Sequence, residues 1–186
     1  MDFKQNNFPR STYSYSLIYE QPLRSVKDLD YLTNVESMTL YPSFHEIPSL
    51  MTLKHLTLGN TDQMSPLSNL SHLTSLSINL INNKEDLLPL QYIKHLKINN
   101  CDRIEDFSIL GNGKQISLSL GNACNFTNVH NFQSIHQLSL SGCSLFEDIS
   151  PLYGIHTLQL SFCKKVKDIS SVGNHYRLEI LDCSYE

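Results

Sequence analysis

Ile135-His136-Gln137-Leu138-Ser139-Leu140-Ser141-Gly142-Cys143 returns 20 residues later as Ile155-His156-Thr157-Leu158-Gln159-Leu160-Ser161-Phe162-Cys163. The stretches that follow also match: Phe146-Glu147-Asp148-Ile149-Ser150-Pro151-Leu152 and Val166-Lys167-Asp168-Ile169-Ser170-Ser171-Val172. Self-similarity at such a period marks a chain wound in coils, each burying its apolar side against the next. Carried outward, the paired apolar positions become Leu178/Ile180 on one side. On the other they become Leu118/Leu120, Leu96/Ile98, Leu76/Ile78, Leu56/Leu58 and Met38/Leu40. Most steps are 20 residues; those of 18 (Met38 to Leu56) and 22 (Leu96 to Leu118) are differences that turns of variable length absorb. One further step of 20 puts Ile18 in the first apolar column and Glu20 in the second, so the first unit reads as a degenerate or capping coil.

Within a unit, alternation over about five residues predicts a short strand. Apolar residues then fall every third position, as in Ile149, Leu152, Ile155 and Leu158. That spacing fits 3₁₀ turns or extended corners, because a 20-residue unit holding a strand and two turns has little room for a long helix. Asp148 and Ser150 are placed to bond free backbone N–H groups, and Pro151 fixes φ where the turn begins. Asp28, Asp86, Asp106 and Asp168 are expected to repeat the role of Asp148.

Composition agrees with this reading. The chain has 186 residues, 40% of them hydrophobic, enough for one domain with a real core. There are 29 leucines against one alanine, Ala123, which argues against a helical bundle. The expected organisation is a single domain over 1–186, with 1–14 as an N-terminal cap or tail and eight to nine coils from 15 to 186. Fourteen Lys and Arg against 18 Asp and Glu give a net charge of −4, which points away from nucleic acid and anionic membrane as partners. The opening residues lack the apolar stretch of a signal peptide, and no segment approaches the roughly 20 apolar residues of a membrane span. Five cysteines without a C-x-x-C pair suit a reducing compartment, so a cytoplasmic location is expected.

The columns resemble the leucine-rich-repeat family, whose pattern L-x-x-L-x-L-x-x-N/C-x-L is met by Ile155, Leu158, Leu160 and Cys163, with Val166 one place late. The resemblance covers 15 to 185, and the short unit with Asp-Ile-Ser-Pro-Leu is similar to the internalin and phosphatase-regulator type. The cysteines resemble those of arrays from amoebae and their large DNA viruses, which for a viral source implies host cytoplasm or virion. The family implies an α/β fold: a right-handed solenoid with one parallel sheet on its concave face and 3₁₀ or extended convex segments. It also implies a protein ligand.

Residues that could carry chemistry have quieter explanations. Cys101, Cys124, Cys143, Cys163 and Cys183 form a column suited to capping backbone groups as free thiols. His136 and His156 occupy equivalent places, as do His55 and His95 two coils apart, but no third ligand recurs with either pair. Gly111-Asn112-Gly113-Lys114 lacks phosphate-loop spacing and falls where the 22-residue unit needs extra turn. No catalytic, cofactor or metal residue is assigned, and the chain is read as a non-enzyme.

The strand positions facing away from the core are dominated by Ser, Thr and Asn, with the richest cluster expected toward the N-terminus: Tyr19, Tyr41, His55, His95 and Lys97. This patch is the expected binding site for a protein ligand, and the function expected is a non-catalytic protein-interaction scaffold. The alternative is a structural or assembly protein that associates end to end, as a homodimer, through Leu178, Ile180 and Leu181 of the last strand.

Overall fold

The computed structural model describes residues 13–18, 35–41, 51–59, 70–111, 113, 115–122, 131–170, 173 and 175–183; for 13–18 and 41 only the backbone is described. Its frame is one parallel sheet of nine strands: β1 (Tyr13–Ile18), β2 (Val35–Tyr41), β3 (His55–Leu58), β4 (Ser75–Leu80), β5 (His95–Asn100), β6 (Ser117–Leu120), β7 (Gln137–Ser141), β8 (Thr157–Ser161) and β9 (Arg177–Leu181). Strand order follows chain order, so each strand lies beside its predecessor.

The paired leucines stack as the period predicts. Met38, Leu56, Leu76, Leu96, Leu118, Leu138, Leu158 and Leu178 lie side by side, and Leu40, Leu58, Ile78, Ile98, Leu120, Leu140, Leu160 and Ile180 form the second file. From β2 to β8 these residues are at most 2% exposed and share one core with Val35, Leu53, Leu73, Ile93, Ile135 and Ile155, three places before the first file, the same place before β6 being held by buried Gln115. Each such side chain contributes roughly 1.5–3 kcal/mol by leaving water, which is what holds coils this thin together. Phe107, Phe132 and Phe146 fill the side of the core opposite the sheet.

The return segments are short, as the space allows. Among the described residues they hold 3₁₀ turns at Lys84–Leu87, Pro89–Tyr92, Phe132–Ser134 and Ser150–Leu152, and one turn of helix, α1 (Ser108–Gly111). α1 occupies the 22-residue unit, where Gly111 has no room for a side chain: a Cβ there would lie 2.1 Å from the Asn131 carbonyl oxygen. Asp148 Oδ1 accepts from Ser150 N–H at 2.9 Å, and Asp106 and Asp168 do the same for Ser108 and Ser170 at 2.8 and 2.7 Å. Asp86 departs from the expectation. It lies inside its 3₁₀ turn and accepts from Asn83 Nδ2 at 3.3 Å. Asp28 lies outside the described residues.

The first coil corrects the sequence register. β1 places Tyr15 opposite Met38 and Leu17 opposite Leu40, so Ile18 does not take the first apolar column, and Glu20 lies outside the described residues. A constant step of 20 selected Ile18, whereas the connection from β1 to β2 is longer and the first column is held by a tyrosine. Ser16 stands beside Thr39, and Tyr19 lies outside the described residues.

Candidate functional site

In a parallel sheet covered on one side by its own return segments, the other side is set by alternate residues of each strand. Two outward columns run the length of this one. The first is Ser37, His55, Ser75, His95, Ser117, Gln137, Thr157 and Arg177; the second is Thr39, Thr57, Ser77, Lys97, Ser119, Ser139, Gln159 and Glu179. Their short hydroxyl and amide side chains leave the floor low. Where longer residues rise at both ends, between Lys97 and Arg177, the face forms a depression of about 450 Å³ floored by Ser119, Gln137, Ser139 and Thr157.

One end of the depression carries an exposed lysine, Lys97. At the other end the charges are already matched: Arg177 Nε donates to Glu179 Oε1 at 2.7 Å, and Gln159 Nε2 donates to Glu179 Oε2 at 2.5 Å. Arg177, and after it Gln159, hold the Glu179 carboxyl below its usual range. Beside Lys97, His95 Nδ1 lies 3.1 Å from Ser117 Oγ.

An aromatic column borders this floor. Two residues before the first leucine of successive coils stand Ile116, His136, His156 and Tyr176. The His136 and His156 rings stack at 4.1 Å, and His156 stacks on Tyr176 at 4.7 Å. Past the strand ends on the other side, Phe162 is 54% exposed at φ 56°, beside Leu181 at 62%. Asn122, Gly142 and Asp182 take the same left-handed corner in their own coils, and these are residue types that tolerate it. A bulky aromatic ring there is both strained and half in water, the kind of outlier from which an interaction role is argued.

The structure separates the residues singled out by sequence. His55 and His95 open β3 and β5 in one column with Ser75 between them, both exposed, and Lys97 lies next to His95 in the second column. Tyr41 closes β2 and pairs with Ile18, while Tyr19 lies outside the described residues. Of the set, Lys97 alone lines the depression, which extends away from the others into coils that offered only small polar groups to a reading by residue type. Leu178 and Leu181 of β9 are 39% and 62% exposed, and Ile180 is half-buried. Tyr176 and Phe162 were missed because each belongs to a column read as solvated or as turn. Their signal was positional: ring-bearing residues at one place in three consecutive coils, and an aromatic where neighbouring coils carry Gly and Asp.

The cysteines behave as backbone caps. Cys101, Cys143 and Cys163 are fully buried, and Cys163 Sγ lies 3.4 Å from the Ser161 carbonyl and 3.7 Å from that of Leu140. Cys183 Sγ lies 3.5 Å from Leu181 O, and burial pushes its thiol up. All four are free thiols. Cys124 lies outside the described residues.

A continuous file of leucines under one parallel sheet, with short 3₁₀ returns, defines a leucine-rich-repeat solenoid. A crystal structure of an internalin from Listeria monocytogenes matches with a TM-score of 0.60 at 20% identity, over 87% of this chain and 52% of that one. This chain thus spans about half the length of that protein. No protein-family model and no curated protein matches the sequence.

Proposed function

We propose that this protein is a non-catalytic scaffold that binds a protein ligand on the exposed face of its sheet, centred on the depression between Lys97 and Arg177. The observation that carries the reading is the pairing of a low polar floor with an aromatic border at His136, His156 and Tyr176. Rigid rings give contact area at small ordering cost, and the floor supplies hydroxyl and amide partners for a main chain laid across it. Lys97 favours a ligand that brings a carboxylate to that end. His95 and His55 then form the outlying, N-terminal part of the same face. Five cysteines without a C-x-x-C pair support an intracellular setting; among the described residues no helix is long and apolar enough to cross a membrane.

The test is capture from the native source with Lys97→Glu and with Gln137→Glu, each against Lys167→Glu on the opposite side. The scaffold reading expects the first two to lower ligand affinity about tenfold and the last to leave it unchanged. Equal capture by all three would overturn it.

A further inference from the structure

Charge is divided unevenly between the two sides of the sheet. From β2 to β8 the two outward columns hold one lysine, Lys97, and two histidines, His55 and His95, but no aspartate or glutamate. The acids of this chain, whose net charge is −4, lie elsewhere. Among the described residues Glu179 is the one acid in either column, and it is already bound by Arg177 and Gln159. The cations divide in the same way. Lys54, Lys84, Lys165 and Arg177 each hold a carboxylate of their own chain, whereas Lys97 has no acidic partner among the described residues. Its neighbours on the face are His95 in its own strand and Ser77 and Ser119 on the strands beside it. Lys97 is thus an unmatched cation at the end of a depression with an uncharged floor.

We infer that the ligand segment this face takes is an acidic extended peptide. It sets a carboxylate on Lys97, carries its other acids toward His95 and His55, and lays an uncharged polar stretch over β6, β7 and β8. The inference rests on the scaffold reading above and names the chemistry of its ligand. An acid-free, positive face on a net-negative chain attracts an acidic segment and turns a basic one away, which is how surface charge sets encounter rate and chooses between partners. A carboxylate held within the depression gains more from Lys97 than it would on an open surface, because the floor replaces part of the water that screens the pair. The far end fixes the direction of the segment. Glu179 is neutralised there by Arg177 and Gln159, so that end offers no unmatched charge to a ligand group of either sign. β5 and β8 are three strand spacings apart, about 14 Å, which an extended chain spans with about four residues. A segment of about eight residues therefore covers the depression and leaves an acidic overhang toward β4 and β3.

Selection of random peptides of about eight residues, displayed on phage, against the purified full chain tests this. Enriched sequences are expected to gather Asp and Glu at one end. Synthesised with a fluorophore, they should lose affinity about tenfold on Lys97→Glu, weaken as sodium chloride rises from about 50 to about 500 mM, and bind Lys167→Glu as they bind the wild type. Exchanging the critical peptide Glu for Lys should recover on Lys97→Glu what it loses on the wild type. If Lys97→Glu departs from the wild-type circular dichroism spectrum, Lys97→Gln replaces it, with an expected loss of about threefold. Ser139→Trp, which fills the depression without adding charge, separates this inference from the reading beneath it. Peptides blocked by Ser139→Trp that carry no surplus of acid, or that bind Lys97→Glu unchanged, would overturn the acidic ligand and leave the scaffold reading standing. Enriched peptides none of which Ser139→Trp blocks would overturn both.

Discussion

Phe162 sits in a conformation that costs an L-residue roughly 1–2 kcal/mol, at a corner where Asn122, Gly142 and Asp182 supply better-suited side chains. Its ring is 54% exposed, so burial does not offset the cost in full. Phe162→Asn is therefore expected to hold thermal stability or raise it by up to about 1 kcal/mol while weakening ligand capture. A loss of more than about 1 kcal/mol in chemical denaturation would show instead that the ring is packed for stability. None of this strain was legible in the sequence, because an aromatic one place before the recurring cysteine reads as an ordinary turn residue until φ is known. The leucines were legible for the opposite reason: each is explained by the same two-residue alternation, coil after coil.

Asp106 and Lys84 illustrate how neighbouring coils are tied on the side away from the sheet. Lys84 Nζ lies 2.6 Å from Asp106 Oδ2, and the Ser108 N–H bonds the other oxygen. Lys84, followed by Ser108, lowers the Asp106 pKa from 3.8 to about 2. The folded carboxyl thus resists protonation more than the unfolded one, so its contribution is complete above about pH 4 and is lost as pH falls toward 2. Both side chains are over one-third exposed, and solvent screening keeps that contribution small. Thermal midpoints at pH 5 and pH 2 should differ less in Asp106→Asn than in the wild type; an unchanged difference would contradict the coupling. The turn role of Asp106, Asp148 and Asp168 was readable from Asp-Ile-Ser and its relatives. Asp86 was not, because the N–H two residues on, that of Leu88, already donates to Glu85 O in the 3₁₀ turn, and Asp86 accepts from the Asn83 side chain instead. The first strand was misplaced for a related reason: a uniform step is a property of the well-formed coils, and the longer connection before β2 breaks it.

At the scale of the whole molecule, strands make their contacts with immediate neighbours, so the sheet face is a surface summed from small local choices. The two files, the free thiols and the short returns were all legible, since each follows from a position within the repeat. The depression was not, because it arises from low side chains in the middle coils combined with taller ones at Lys97 and Arg177, a relation between coils that no single unit displays. It moves the centre of the proposed binding face from the N-terminal patch toward β6, β7 and β8. A photoreactive amino acid placed singly at Ser119, Ser139 or Gln159 on that face, and at Glu147 or Lys167 on the opposite side, reads this directly. Adducts with the bound protein ligand from the first three positions and none from the last two are expected; adducts confined to Glu147 and Lys167 would contradict the assignment.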